Sequence, residues 1–458
     1  MKEFDLFVIG GGSAGMKAAR IAAGMGKSVA VAEERHVGGE CYWAGCVPTK
    51  AMIRAAHVWR QIEQASEFGM HVTIEKADFA EAMAYKDRAM KRVKGDSPLD
   101  GGLSRLGASY FPATASFEDP FTVRIGDDVV RFKQALVATG TLPAVPPIPG
   151  LAEAGFITNR EAIALTILPK RLVILGAGPI GLEFAQTFYR FGCEVTVLER
   201  LPRILIHEDE EIAALMTGYL QEEGIRILSG TELECVEPGE QYGEKKLLIR
   251  YQGADHSLTC DTILVAAGRR PAVKRLNLEA AGLTIERNIL PVDPYLKTRV
   301  EHIWAAGDIT GSPLFTHVAS YAGNRMALNA FTDSQQPADY RFTPRCTYLD
   351  PEIASIGLTQ IEAELAGFDI VVSNYLLTNL DRAILHNDTR GVVKLIMDAR
   401  DGQILGAHIA GPYASSLLPE VEICMKYGLP VQAIAGIMHA FPSFPEAVEA
   451  AALRSPFV

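Results

Sequence analysis

The hydrophobic pattern of the chain repeats itself in two places. Near the start, an apolar run from Leu6 to Ile9 breaks into Gly10-x-Gly12-x-x-Gly15, followed by an Ala-rich helical period and a second apolar run, Ser28 to Ala32, ending at Glu33. Much later, Leu172 to Leu175 leads into Gly176-x-Gly178-x-x-Gly181, a helical period, and Glu194 to Leu198 ending at Glu199. Each acidic residue lies 18 positions after the third glycine of its copy. Short fully apolar runs bounded by glycines predict buried parallel strands, and the 3.6-residue period between them predicts the crossover helix. Two further runs match each other, Ala135 to Gly150 and Ile263 to Pro271, each an apolar strand followed by small residues and proline. They read as the last strand of each unit, and the proline-rich stretch Pro143 to Pro149 as a crossover. After Tyr340 the pattern changes to alternating strands, such as Val392 to Met397 and Ile404 to Ile409, before an amphipathic helix expected from Pro419 to Tyr427.

Each glycine of the repeated unit has its own task. The first makes a tight turn, the second lets backbone approach a pyrophosphate, and the third packs helix against strand; the acidic residue can accept from ribose hydroxyls. One such pattern is weak evidence. Two, each in the full strand–turn–helix–strand–acid context, predict two dinucleotide sites. A third strand end, Ala306-Gly307-Asp308, offers an aspartate that either contacts a ribityl or ribose hydroxyl or simply forms a turn.

Composition narrows the function classes. The 458 residues are 48% apolar and 22% charged, and suggest two to four domains. A net charge of -11 argues against nonspecific binding to nucleic acid or anionic membrane. No apolar run reaches the length of a membrane span, and a strand pattern beginning at residue 5 leaves no room for a signal peptide. Seven cysteines, an odd number, do not resemble a secreted disulfide framework. A cytoplasmic location is expected.

Candidate chemistry then centres on "GECYWAGCVPTK", Gly39 to Lys50, where Cys41 and Cys46 enclose four residues. A zinc site needs four ligands, and only His36 and His57 stand near, with no second cysteine pair. A static cross-link is uncommon in a cytoplasmic protein. A redox pair accounts for more: one thiolate attacks, the second resolves, and the spacing allows both sulfurs to meet on one distorted helical turn. Gly45 relaxes the backbone, and Lys50 offers a cation to a thiolate or a nearby cofactor. Two nucleotides and a dithiol imply an electron path from nicotinamide through flavin to disulfide.

With these pieces in place the chain resembles the FAD-dependent pyridine nucleotide–disulfide oxidoreductases, such as dihydrolipoamide dehydrogenase, glutathione reductase and mercuric reductase. "GGECYWAGCVPTK", "ATG", "GAGPIGLEFA", "AAGRRP", "WAAGDIT" and "YLDPEIASIGLT" carry the resemblance across nearly the whole chain. It implies an α/β fold with two Rossmann-like dinucleotide-binding domains and a C-terminal α+β dimerisation domain. The expected boundaries are 1–148 for FAD, 149–270 for NAD(P), 271–337 for a central domain completing the FAD site, and 338–458 for dimerisation. It further implies a homodimer whose active sites are each completed by the partner. Cys41 would be the interchange thiol and Cys46 the charge-transfer thiol, with Lys50 and Glu183 as an ion pair near the flavin. The FAD set would be Gly10, Gly12, Ser13, Gly15, Glu33, Gly39, Lys50, Thr139, Gly140, Gly307 and Asp308. The NAD(P) set would be Gly176, Gly178, Ile180, Gly181, Glu199, Arg200 and Gly268.

The sequence also departs from the family pattern. Lipoamide and glutathione reductases place an acid–base histidine in a His-Pro-Thr motif, with a glutamate following that orients it. In "HAFPSFPE" the glutamate falls on Glu446, the proline on Pro442, and the histidine's place is taken by Phe441. Phenylalanine cannot move a proton. His439, two residues earlier, is expected to be structural rather than a substitute. Mercuric reductases also lack that histidine but carry a C-terminal cysteine pair, which "LRSPFV" does not provide. The substrate-binding arginine of glutathione reductases is replaced by Asn324. Glu199 favours NADH by accepting from the 2′-hydroxyl, whereas Arg200 and Arg203 stand where a 2′-phosphate would bind. The expectation is an NAD(P)H-dependent reductase passing electrons through Cys41–Cys46 to a disulfide or thiol-reactive acceptor. A flavin-level reductase of metal ion or quinone, and a redox-sensing flavoprotein, remain the rivals.

Overall fold

A computed structural model describes residues 2–95 and 102–458. It divides into two compact units. The first comprises Met1–Ala51, Tyr85–Ala144 and Arg269–Tyr340, and the second Met52–Ala84, Val145–Gly268 and Arg341–Val458.

The first unit is built on the strand Lys2–Ile9. Leu6, Phe7, Val8 and Ile9 are all buried, so both faces of the strand are covered, as in a parallel sheet packed on two sides. It pairs in parallel with Val29–Ala32 on one side and Asp128–Val137 on the other. Ser109–Phe111 extends the sheet beyond Val29–Ala32. Thr122–Ile125 and Ala115–Asp119 continue it antiparallel beyond Asp128–Val137. The late strand Ile303–Ala305 joins this same sheet, pairing in parallel with Ala135 to Val137. Consequently the turns after Ile9, Val137 and Ala305 emerge at one edge, the carboxyl end of the strands, where α/β sheets bind ligands. Helix α1 (Ser13–Gly24) packs against helix Thr316–Phe331, and Gly323 is required there, because a Cβ would come within 2.1 Å of Ala14 O.

In the second unit, Arg171–Leu175, Glu194–Glu199, Arg226–Ser229 and Thr262–Val265 form a parallel sheet, with the antiparallel strands Glu232–Pro238, Lys245–Tyr251 and Ala254–Cys260 beside them in sequence. Arg345–Thr347, Glu352–Gly357, Ile404–Gly411, Val392–Asp398 and Ile370–Leu376 make a five-stranded antiparallel sheet. Helices Ala414–Tyr427 and Glu446–Leu453 bury Leu417, Leu418, Val421, Ala447, Val448 and Ala451 against it. The helix expected to start at Pro419 instead starts at Ala414 and carries Pro419 inside it. Proline normally marks a helix's first turn. Here burial of Ala414, Leu417 and Leu418 N-terminal to it outweighs the lost N–H.

Charge is buried in this unit only in company. Lys394 and Asp209, 3% and 2% exposed, pair at 2.9 Å. Asp350 is a hub: its carboxylate meets His57 Nδ1 at 3.0 Å, Arg190 at 2.8 Å and Arg390 at 2.9 Å, while Glu223 pairs with Arg190 at 2.5 Å. Gln186 donates to Asp350 O at 2.9 Å and accepts its N–H at 2.8 Å. Burial pushes the Asp350 carboxyl up, but the His57 hydrogen bond and the two arginines outweigh it and hold the group below the usual carboxylate range. A carboxyl depressed in the folded state stabilises above its unfolded pKa, and that contribution is lost as pH falls through the folded value. Urea unfolding of Asp350→Asn is therefore expected to show a deficit against wild type at neutral pH that narrows as pH drops below about 4. Arg190→Met, which takes the arginine from the buried Glu223 carboxylate and one of two from Asp350, should lose about 3–5 kcal/mol in the same measurement.

Candidate active site

The first glycine turn is closed by backbone contacts that no side chain could share. A Cβ on Gly10, whose φ is +109°, would stand 2.4 Å from Ala138 O, and one on Gly15 only 1.9 Å from Gly10 O. A Cβ on Gly12 meets nothing within 4 Å, so the loop is open on the side where a pyrophosphate passes. Ser13 opens α1, whose N-cap Gly12 supplies no side-chain cap, so its first N–H groups have no intrahelical acceptor. Glu33 accepts from Gly11 N and Arg35 N, both at 2.8 Å. On the adjoining turns, Thr139 Oγ1 is buried without a hydrogen-bond partner, next to Gly140 at φ +65°. Asp308, after Gly307, accepts from Thr141 Oγ1 at 3.0 Å. The open cradle and the orphaned hydroxyl fit a dinucleotide.

The dithiol is attached directly to that cradle. Gly38 donates to Gly11 O at 2.8 Å, and a Cβ on Gly39 would lie 2.8 Å from Gly12 Cα. The two cysteines do not share one distorted helical turn. Cys41 lies in the short helix α2 (Gly39–Trp43), the chain breaks at Ala44 and Gly45, and Cys46 begins helix α3 (Cys46–Glu63). The backbone folds back closely at the break, where a Cβ on Gly45 would be 3.1 Å from Glu40 O and 3.3 Å from Cys41 Cα. Cys41 is half-buried and Cys46 exposed. The neighbouring Cys46 sulfur and burial push the Cys41 thiol well up, with Thr316 opposing. Lys50 follows one turn later on α3, half-buried.

Two participants here were invisible in the sequence. Thr316 Oγ1 lies 3.6 Å from Cys46 Sγ, although 270 positions separate them. Trp43, between the cysteines, stacks on His36 with ring centroids 4.2 Å apart and carries Lys94 Nζ 3.6 Å above its ring. The nearest signal for Thr316 was its position just after the Gly307–Gly311 turn.

In the second unit the glycine geometry recurs. A Cβ on Gly176, φ +107°, would be 2.5 Å from Ala266 O; on Gly181, 2.0 Å from Gly176 O; on Gly178, in open space. Glu199 accepts from Ala177 N at 2.7 Å and Leu201 N at 2.8 Å, the same arrangement as Glu33. Ile180 is partly exposed on the helix Pro179–Arg190, and Gly268 takes φ +114°. Arg203 is tied into its own loop, donating to the carbonyls of Leu205, Ile206 and Glu208 at 2.9–3.0 Å. Arg200 stays exposed. Glu183 is 6% exposed and accepts from Tyr348 N at 2.9 Å.

The C-terminal segment carries no proton relay at Phe441, whose ring is 73% exposed. Glu446 accepts from Ser443 N at 2.6 Å and so caps the turn that precedes its helix. His439 Nε2 sits 3.0 Å from Glu420 and Nδ1 3.3 Å from Glu449. Burial lowers its pKa, but the Glu420 hydrogen bond and the charges of Glu420 and Glu449 outweigh that and raise it, and the ring ties the helices Ala414–Tyr427 and Glu446–Leu453 together. Gly15→Ala, with its forbidden Cβ, is expected to purify with flavin absorbance at 450 nm reduced at least about tenfold per protein.

Comparison with known proteins agrees with this geometry. Residues 4–323 match the model for pyridine nucleotide-disulphide oxidoreductases, and residues 343–452 the dimerisation domain of the same family. A mercuric reductase of Staphylococcus aureus is 33% identical over 98% of this chain and 82% of its own length. A dihydrolipoyl dehydrogenase of Geobacillus stearothermophilus is 32% identical over 99% of this chain and 97% of its own. The HOCl-induced flavoprotein disulfide reductase RclA from Escherichia coli superposes with a TM-score of 0.88 at 27% identity, covering 98% of this chain and 99% of the other. The chain belongs to the pyridine nucleotide-disulphide oxidoreductases, enzymes that work with FAD and NAD(P)H.

Proposed function

We propose that this enzyme takes two electrons from NADH, in preference to NADPH, and delivers them through Cys41–Cys46 to a thiol-reactive acceptor. The observation that carries the reading is the anchoring of the cysteine-bearing helix on the first glycine turn, Gly39 against Gly12. FAD supplies hydride acceptance and two-electron transfer when bound on that turn. The chain's residues do the rest. Gly10, Gly12, Gly15 and the start of α1 hold the pyrophosphate, Glu33 the ribose, and Asp308 a hydroxyl of the linking chain. Cys46, beside Thr316, would serve as the charge-transfer thiol toward the flavin, with Lys50 one turn along the same helix. Cys41 exchanges with the acceptor. In each cycle NADH and one proton reduce the Cys41–Cys46 disulfide to the dithiol, and transfer of two electrons, to one two-electron acceptor or to two Cu(II) ions, restores the disulfide and releases two protons.

Glu199 supports the NADH preference, since its carboxylate repels a 2′-phosphate and Arg203 is already committed to three carbonyls. The dimerisation-domain match supports a homodimer with shared active sites. Among the described residues no helix is long and apolar enough to cross a membrane, and the reading places the enzyme in the cytoplasm.

Phe441 shapes the acceptor class. Cleaving a disulfide requires a proton for the leaving thiol, and a histidine at this place would contribute about 10²–10⁴-fold. An acceptor reduced without protonation, such as a soft metal ion, needs no such group. Similar proteins include mercuric reductases, and RclA has also been solved as a Cu(II) complex. Anaerobic titration with NADH should produce a long-wavelength thiolate-to-flavin absorbance that is absent in Cys46→Ser. Its absence in the wild type would sink the dithiol mechanism. With lipoamide as acceptor, Phe441→His should raise kcat/KM at least about tenfold, while turnover with Cu(II) or Hg(II) stays unchanged.

A further inference from the structure

Helix α2 carries Cys41 with little to hold it. It has five residues, none of them buried, so apolar burial does not fix it to the protein. A helix that short is not stable by itself and keeps its place through tertiary contacts. At its N-terminal end the contacts are backbone, with Gly38 N donating to Gly11 O at 2.8 Å and Gly39 lying on Gly12. Midway, Glu40 faces Arg269 at 3.9 Å, on the strand Arg269–Pro271 that pairs antiparallel with Thr141–Pro143. At the C-terminal end stands Trp43. Its indole Nε1 donates to Val37 O at 3.0 Å, and its ring stacks on His36 with 4.2 Å between centroids and 29° between planes. Lys94 Nζ, from the last turn of the helix Phe79–Lys94, lies 3.6 Å from the centre of the same ring. These contacts close a loop. His36 and Val37 immediately precede the glycines that seat α2, Gly39 N donates back to His36 O at 3.1 Å, and Trp43 returns to both residues from the far end of the helix.

Cys41 lies inside that clasp, whereas Cys46 lies outside it, at the head of the 18-residue α3. The separation of two sulfurs on different helices depends on how firmly each helix is held. Two thiols held near each other form a disulfide more readily than two that wander, because the ordering is done before the bond forms. We propose that Trp43, held between His36 and Lys94, is a positioning residue that keeps Cys41 within bonding reach of Cys46 in the reduced protein and so makes the pair a stronger reductant. Trp43 exchanges neither electron nor proton; it acts through the backbone of α2.

This rests on the dithiol reading above, but its test uses neither NADH nor an electron acceptor of the enzyme. The FAD-loaded protein is equilibrated anaerobically with mixtures of reduced and oxidised glutathione, two glutathione thiols being oxidised to one disulfide for each Cys41–Cys46 disulfide opened to the dithiol. After acid quenching and alkylation, mass spectrometry of the tryptic peptide 36–50, which holds both cysteines, counts disulfide against dithiol. Trp43→Ala should move the ratio toward the dithiol about tenfold at a given glutathione mixture, a potential about 30 mV less negative. Lys94→Met, which keeps the stack and removes the cation, should move it about fivefold in the same direction, and Lys94→Arg should stay within about twofold of wild type. A Trp43 that only supports the fold predicts a lower melting temperature with the wild-type ratio. That result, or a shift toward the disulfide, overturns the proposal. Where Trp43→Ala fails to fold or to hold flavin, the Lys94 variants decide: the pattern just given upholds the proposal, and equal ratios in the two overturn it. A wild type that forms no Cys41–Cys46 disulfide in any mixture overturns the dithiol reading and this inference together, whereas a wild-type disulfide with unmoved variants overturns this inference alone.

Discussion

The chain's chemistry depends on how closely its backbone can approach itself at the first glycine turn. Gly15 packs on Gly10 O, Gly10 on Ala138 O, and Gly39 on Gly12 Cα, all at separations that leave no room for a side chain. These contacts do two things at once. They close the strand–turn–helix unit so that its N–H groups converge, and they seat the helix carrying Cys41 on the same turn. The distance between a cofactor held there and the sulfur is therefore set by backbone, the least compliant part of the protein. Each contact lies at the carboxyl end of a sheet whose central strand is buried on both faces.

Around that frame, polar groups are placed where each has a defined counterpart. Glu33 and Glu199 hold their own turns closed through two backbone N–H groups each. In the second unit, Asp350 collects two arginines and a histidine, and the hydrogen bonds from Tyr348 to Glu183 and from Asp350 to Gln186 lie three residues apart on one helix face. The segment bearing Asp350 is thereby laid along the helix that follows the second glycine turn. Such networks are costly to leave half-satisfied, which keeps them in a single arrangement.

How much of this was legible beforehand differs by residue, and the difference has a physical basis. Gly10, Gly12 and Gly15 were readable because the requirement they meet is local: a turn, an approach and a packing contact within six positions. The cysteine pair was readable for the same reason, but its geometry was not, since the chain folds back at Ala44 and Gly45 so closely on Glu40 O that two short helices replace one turn. Thr316 beside Cys46 and Arg269 beside Glu40 come from a helix start and a strand far along the chain, and no periodicity announces them. Pro419 misled in the other direction, because a local preference gave way to the burial of Leu417 and Leu418. Phe441 was plain as a departure from the family pattern, yet the fate of His439 required seeing Glu420 and Glu449 on either side of it.

The antiparallel ribbon of Thr141–Pro143 with Arg269–Pro271 has a bearing on how the chain is threaded. Pro143 and Arg269 stand opposite each other in register, and the chain leaves through one and returns through the other. Residues 145–268, with the whole second glycine turn, are thus an insertion whose two ends meet at one doorway. The second glycine turn thus lies on a segment that leaves and re-enters the first unit's chain at one two-stranded ribbon.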